Sequence, residues 1–381
     1  MDGCDVLVVG GGPAGSSCAA HLVRAGLDVV VIDRAQFPRD KVCAGWITPQ
    51  VIETTGLDIA DYRQGRTFQP IKGFRTGTIG RPGLVETAYR REVSFGIRRI
   101  EFDQYLLERS RARLKLGLPV ASIRREASEW IVNDSIRASM LVGAGGHFCP
   151  IARWLNPRLS SQPSALSPTL VVAQEAEFPI DRGGESSWAV APELPELYFS
   201  RDLAGYGWCF RKEGHINIGI GRLGERSLPS AASEFVTFLR ARSRIPADAT
   251  WHWRGHAYLI SEPPRRVIVQ AGVLLAGDAA GLAYPESGEG IRPAIESGLL
   301  AANTIVGARG QYTRERLAPY EISLRQRFLR APVQQMIASA WPWQVSSALL
   351  PWLLDSRWLV RHLVLDRWFL HAGLEALRAE G

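Results

Sequence analysis

Two glycine-rich turns, far apart in the chain, carry the clearest chemistry. The first is Gly10-Gly11-Gly12-Pro13-Ala14-Gly15, which follows the apolar run Asp5–Val9. Gly10 permits a tight turn, Gly12 lets a pyrophosphate approach the backbone, and Gly15 lets the following helix pack closely on the strand. Pro13 and Ala14 open that helix, whose first free N–H groups face the phosphates. Asp33 closes the next apolar strand, Asp28–Ile32, where a carboxylate accepts hydrogen bonds from a ribose hydroxyl, and Arg34 follows it. The second turn runs from Gly277-Asp278 through Pro285-Glu286-Ser287-Gly288-Glu289-Gly290-Ile291, again between an apolar strand and a helical pattern. One such fingerprint suggests a dinucleotide. The pair points to FAD, its two halves gripped by distant parts of one chain. Backbone N–H groups at Gly288, Gly290 and Ile291 are expected to stabilise negative charge at the reduced flavin, with Pro285 pressing the preceding loop against its ring. No His or Cys lies in a covalent attachment motif, so the FAD is expected to be non-covalent.

The elements that must position these turns can be read from periodicity. Asp5–Val9 reads as a strand buried on both faces, and Ala14 to Ala25 as a helix closed by Gly26. A helix is predicted from Arg99 to about Arg113, with Phe102, Leu106 and Leu107 on one face, and strands at Ile136–Val142 and Val267–Gly277. From about Thr169 to Gly221 the apolar period changes to two, the mark of antiparallel sheet. The expected fold class is α/β: a Rossmann-type FAD-binding domain interleaved with an antiparallel β-sheet substrate domain, plus a helical C-terminal cap. The FAD-binding domain takes residues 1–65, 85–155 and 255–330, the inserted domain 66–84 and 156–254, and the cap 331–381. The cap is rich in tryptophan (Trp341, Trp343, Trp352, Trp358, Trp368) and amphipathic between Leu349 and Leu370. It either packs on the inserted sheet or makes peripheral membrane contact through Trp and Arg.

Composition narrows the classes further. The chain has 381 residues, 46% of them hydrophobic and 22% charged, as in an ordinary globular protein. Its net charge of +7 is spread over scattered arginines without a compact basic run, and no nucleic-acid partner is expected. Five cysteines (Cys4, Cys18, Cys43, Cys149, Cys209) form no C-x-x-C pair, which argues for reduced thiols and against a structural metal. Strand begins at Asp5 with no room for a signal peptide, so a cytoplasmic protein, peripheral at most to a membrane, is expected. No second complete G-x-G-x-x-G unit provides a separate nicotinamide domain. NAD(P)H or another reductant would act as a transient donor, or an electron-donor protein would take its place.

Two further segments make the chain resemble the geranylgeranyl reductase family of flavoproteins, within the group built like p-hydroxybenzoate hydroxylase. They are Tyr206-Gly207-Trp208-Cys209-Phe210-Arg211-Lys212 with Asn217-Ile218-Gly219-Ile220-Gly221, and the Gly277–Gly298 block ending Glu296-Ser297-Gly298. The family pattern Y-x-W-x-F-P-K…N-x-G-x-G lines an isoprenoid cavity. By that resemblance Tyr206 and Trp208, with Phe210 and Tyr198, are expected to form the wall for a hydrophobic small-molecule substrate. Lys41-Val42-Cys43-Ala44-Gly45 is similar to the family's K-x-C-G segment, which places Cys43 and Ala44 at the flavin; Arg99 is added to the cofactor contacts. Arg211 stands where the family has proline, Ala44 where it has glycine, and Gly145-Gly146 where related flavoenzymes have Asp-Gly.

The resemblance implies reduction of carbon–carbon double bonds in an apolar, polyprenyl-like substrate by hydride from flavin N5. The alternatives are a tailoring dehydrogenase, oxidase or monooxygenase for a hydrophobic natural product, or a flavin-bearing partner protein. In alkene reduction hydride reaches one carbon and a proton must reach the other. Cys43, flanked by Arg39 and Lys41, Glu286 in an apolar pocket, and Tyr206 are the candidate acids. His256 and His147 are weaker ones.

Overall fold

The computed structural model describes residues 1–157, 170–180, 187–202, 204–223, 228–260, 266–328 and 354–378. The apolar strand Asp2–Val9 lies at the centre of an eight-stranded sheet, parallel to Ile136–Gly143 on one side and Val29–Asp33 on the other. Val6, Leu7 and Val8 are fully buried, as a central strand covered on both faces requires. The helices Pro13–Arg24 and Ile291–Ala308 pack against each other over this sheet, each starting from one of the glycine-rich turns.

A seven-stranded sheet forms the second layer. Its strand order is Arg254–Leu259, Leu170–Pro179, His215–Leu223, Gly205–Lys212, Glu196–Phe199, Gly73–Thr78 and Leu84–Ala88. Every neighbouring pair is antiparallel except Glu196–Phe199 with Gly73–Thr78. Two strands cross the boundaries expected from the sequence. Leu84–Ala88 and Arg254–Leu259 hydrogen-bond into this sheet, although all but Leu84 and Arg254 were assigned to the cofactor layer. The change in composition at the glycines and prolines marks loops, whereas sheet membership is set by backbone pairing.

Two elements also end differently. The helix from Arg99 stops at Arg109, because the Ser110 hydroxyl takes the Leu107 carbonyl (2.6 Å) and Arg111 adopts a left-handed conformation (φ 56°). Arg113 then begins a strand parallel to Val30–Asp33. The run 267–277 is not one strand but a hairpin, Val269–Gln270 with Val273–Leu275, turned at Gly272 (φ 73°).

At the C-terminus the described residues act as a cap. Val360, Val364, Leu365 and Phe369 bury themselves against Trp46, Phe74, Phe199 and Phe210 on one face of the second sheet. The Tyr89 hydroxyl donates to Asp366 (2.6 Å), and Arg292 donates to the carbonyls of Leu374 (2.8 Å) and Glu375 (2.9 Å). Trp341, Trp343 and Trp352 lie outside the described residues. Among those described, no helix is long and apolar enough to cross a membrane.

Candidate active site

The two glycine-rich turns meet at one cavity of about 490 Å³, between the two sheets. Gly12 and Gly290, the N-caps of the two packed helices, both line it, and neither helix has a side-chain cap. Their N-termini, the positive ends of two helix dipoles, therefore turn toward a ligand site, although the Arg292 N–H of the second helix is already taken by the Glu289 carboxyl. Gly10 and Gly15 lie outside the lining and shape the turn instead. A Cβ on Gly10 would meet the Ala144 oxygen at 2.4 Å, and one on Gly15 the Gly10 oxygen at 1.8 Å. Asp33 fixes the same turn from below: Oδ2 accepts from the Gly11 N–H (2.8 Å) and Oδ1 from that of Ala35 (2.9 Å).

Most residues expected at the cofactor line this cavity: Gly12, Pro13, Ala14, Asp33, Arg34, Cys43, Ala44, Arg99, Gly277, Asp278, Gly288, Gly290 and Ile291. Pro285 does not. It is exposed, and Glu286, half-buried, also lies outside the lining. The reason is a closed loop in which Tyr284 N–H donates to the Glu289 carbonyl (3.0 Å) and Gly288 N–H to that of Tyr284 (2.8 Å). This closure coincides with Pro285 outside and Glu289 at the cavity. Glu289 is 7% exposed, Oε1 accepts from the Arg292 N–H (3.3 Å), and Oε2 has no partner. Burial pushes its carboxyl up to about 7. The sequence block contained this acid, but spacing alone does not tell which carboxylate of Glu286 and Glu289 turns inward.

The aromatic wall follows from strand register. Tyr206 pairs with Gly221 and Trp208 with Gly219, and both aromatic residues line the cavity with ring centroids 5.9 Å apart. Trp208 Nε1–H donates to Asn217 Oδ1 (2.7 Å), and a Cβ on Gly219 would lie 2.1 Å from the indole. That contact explains why the tryptophan strand and the N-x-G-x-G strand occur together. The Tyr206 hydroxyl donates to the Ser287 carbonyl (2.5 Å), and burial pushes it well above the ordinary phenol range. Both effects weaken Tyr206 as an acid. Phe210 stands behind the wall, stacked on Trp46 (5.1 Å, 23°), and supports it without lining the cavity. Tyr198 was expected in the wall but faces the other way. It pairs with Gly207, which puts it on the opposite sheet face, where its hydroxyl donates to Glu196 (2.6 Å) and its ring packs on Phe235.

Cys43 is held by Arg99 on its side chain and Asn217 on its carbonyl, each tied into a buried ion pair. Arg99, 5% exposed, reaches the Cys43 side chain and grips Asp103 through two hydrogen bonds of 2.8 Å; Arg39 adds a third cationic contact to Asp103 (3.2 Å). Burial would raise the Asp103 carboxyl, but Arg99 and its neighbours hold it below the ordinary range. On the other side Asn217 Nδ2 donates to the Cys43 carbonyl (3.3 Å) and to Glu177 (3.2 Å). Lys212, 1% exposed, donates to Glu177 (2.7 Å) and to the Ile97 carbonyl (3.0 Å). Burial again opposes ionisation, yet Lys212 holds Glu177 down at about 2. Lys41 pairs with Asp278 (3.2 Å), whose carboxyl it lowers against burial. His256 and His147 also line the cavity; burial pushes His256 down to about 3 and lowers His147, so both are neutral at neutral pH.

Against known proteins, residues 5–96 match the family of FAD dependent oxidoreductases. The menaquinone reductase of Mycolicibacterium smegmatis is 30% identical over 331 residues, covering 78% of this chain and 75% of that protein. The chain belongs to the geranylgeranyl reductase family of FAD-dependent oxidoreductases. The digeranylgeranylglycerophospholipid reductase of Thermoplasma volcanium, 26% identical over 411 residues, covers 99% of this chain and 96% of its own length. A geranylgeranyl bacteriochlorophyll reductase-like structure from Thermoplasma acidophilum shares the fold, with a TM-score of 0.76 at 24% identity over 93% of this chain and 91% of that one. This geranylgeranyl reductase family member is an FAD-dependent oxidoreductase. Its own geometry fits the cofactor: two uncapped helix ends open on one cavity, and a Cβ on Gly12 would meet only Arg39 Nη2, at 3.0 Å.

Proposed function

We propose that this flavoprotein reduces carbon–carbon double bonds in an apolar, polyprenyl-like substrate. The observation that carries the reading is the aromatic wall of Tyr206, Trp208 and Trp46 in the same cavity as the uncapped turn Gly288–Ile291. A flat apolar wall suits a planar alkene segment, which offers no polar handle. The relatives' names, a menaquinone reductase and a digeranylgeranylglycerophospholipid reductase, point to the same substrate class.

In this reading Asp33 and Arg34 hold the ribose side of FAD, Gly12–Ala14 the pyrophosphate, and Cys43, Ala44, Arg99 and Gly288–Ile291 the flavin. Bound there, FAD supplies two-electron transfer. The chain's own residues do the rest. Tyr206 and Trp208 orient the substrate, and the Asn217 hydrogen bond fixes the Trp208 ring angle. Phe369, edge-on to Tyr206 at 5.2 Å, closes the wall from the C-terminal cap and excludes water. The Lys212–Glu177–Asn217 network fixes the backbone of Cys43. NAD(P)H or a donor protein would supply the electrons. A long apolar substrate is drawn from a membrane, and exposed Trp358, between Arg357 and Arg361, offers a peripheral contact to it.

Product analysis tests the reading. The FAD-loaded protein, reduced anaerobically and given geranylgeraniol, is expected to yield a product heavier by two hydrogens, with one carbon–carbon double bond lost. A product that gains oxygen, formed only in air, would favour the monooxygenase alternative and end this proposal.

A further inference from the structure

The reduction proposed above needs an acid at the cavity, and the charges around Glu289 are arranged to leave it one. Glu296, fully buried, takes both nearby guanidiniums: Arg292 Nε at 2.9 Å, and Arg327 through Nε at 2.9 Å and Nη2 at 2.8 Å. Arg292 Nη2 is committed to the carbonyls of Leu374 and Glu375, while its buried Nη1 has no partner among the described residues. Among the described residues, Glu289 is left with one backbone N–H on Oε1 and nothing on Oε2. The remaining titratable groups facing it are phenols: Tyr284 from the preceding loop and Tyr206 from the sheet, with Tyr258 beside Gly288. The C-terminal cap adds His371, whose ring lies 3.8 Å from that of Tyr284 at a tilt of 31°. The buried Glu289 carboxyl holds its proton up to about neutral pH, because the water its charged form loses outweighs the one N–H and the charge of Arg292 that favour ionisation.

We infer that Glu289 is the proton donor of the proposed reduction. The assignment rests on that reading of the reaction. The Glu289 O–H bond breaks as a C–H bond forms at the alkene carbon that hydride does not reach. The hydride's electron pair forms the second C–H bond, and the π electrons form the first. The carboxylate left behind takes up a proton from solvent, so the site returns to its starting state once the donor has supplied two electrons and a second proton, or a hydride. Cys43 then serves the cavity wall rather than the proton, and Glu286 has no part in the transfer.

Infrared difference spectroscopy and transient kinetics on the FAD-loaded protein test the assignment. The wild type is expected to show a protonated-carboxyl C=O band, shifted by D₂O, that disappears as pH rises through about 7. Glu289→Gln keeps the size and the FAD content and loses that band. With geranylgeraniol as oxidant, anaerobic flavin reoxidation in Glu289→Gln is expected to slow at least about 100-fold, within the range for loss of a general acid. Glu289→Asp recovers part of the rate, and the wild-type rate falls above neutral pH while that of Glu289→Gln stays flat. A wild-type spectrum without the band, or a Glu289→Gln variant as fast as wild type, overturns the assignment alone. A wild type that retains the band yet is inert to every alkene overturns the reading of the reaction, and the donor role with it.

Discussion

Lys212→Met removes the buried cation beneath Cys43 while keeping the length of its apolar stem. Its partner Glu177 would remain in the same buried place, with Arg98 (2.9 Å) and Asn217 (3.2 Å) as its surviving side-chain contacts. Breaking a buried pair from one side costs up to about 3–5 kcal/mol where the remaining charge is left uncompensated, and the surviving Arg98 contact puts Lys212→Met below that ceiling. The depressed Glu177 carboxyl, held down by Lys212 together with Arg98 and Asn217, gives a figure for all three contacts, of which Lys212 is the largest. A shift from 4.5 to about 2 corresponds to about 3 kcal/mol at neutral pH. Because this folded-state value is depressed, the stabilisation is present above about 4.5 and is lost as pH falls towards 2. The deficit of Lys212→Met should therefore be full at pH 7 and shrink in acid. Urea unfolding of wild type, Lys212→Met and the double variant Lys212→Met/Glu177→Gln, followed at both pH values, measures it. The double variant should recover most of the loss, since no buried charge is left unpaired. A single-variant deficit under about 1 kcal/mol at pH 7, or one that grows in acid, would refute the reasoning.

Three other substitutions probe the site. Asp33→Ala removes the acceptor for the Gly11 and Ala35 N–H groups and should weaken FAD binding by about 1–3 kcal/mol, measured by flavin fluorescence titration. Trp208→Ala should leave the flavin spectrum nearly unchanged and raise the substrate concentration needed for half-maximal turnover; a lost flavin instead would mean the indole holds the cofactor. Cys43→Ser should retain FAD and lower turnover modestly, by disturbing the wall beside Arg99. A loss as large as that expected for Glu289→Gln would make the thiol the acid.

How much of this was legible from sequence depends on the kind of contact. The glycine turns, Asp33 and Asp278 were readable because backbone chemistry at a phosphate or flavin demands fixed spacings next to strand and helix patterns. Tyr206 and Trp208 were placed correctly by alternation within one strand. Tyr198 was not, because its face is set by pairing with Gly207 on a neighbouring strand, and no local pattern gives that register. Pro285 and Glu286 failed for a related reason: the loop closes between Tyr284 and Glu289, and the closure reverses which carboxylate points inward. Lys212 stands in the segment that carries the family resemblance, but nothing in the sequence pairs it with Glu177, a polar residue near the end of an alternating strand. Only the packing of two strands and the Cys43 loop reveals that their charges are buried. The end of the helix at Arg109 rested on a side-chain hydrogen bond of Ser110, a signal too weak to outweigh the apolar period before it.

In the proposed reaction one cavity brings the reduced flavin and an apolar alkene together. Anaerobic stopped-flow spectroscopy tests it most directly: the protein is loaded with FAD, reduced with one equivalent of dithionite, and mixed with geranylgeraniol in detergent. The account predicts that the oxidised flavin spectrum returns without oxygen, in step with loss of one double bond per flavin. A spectrum that stays reduced until air is admitted would contradict it.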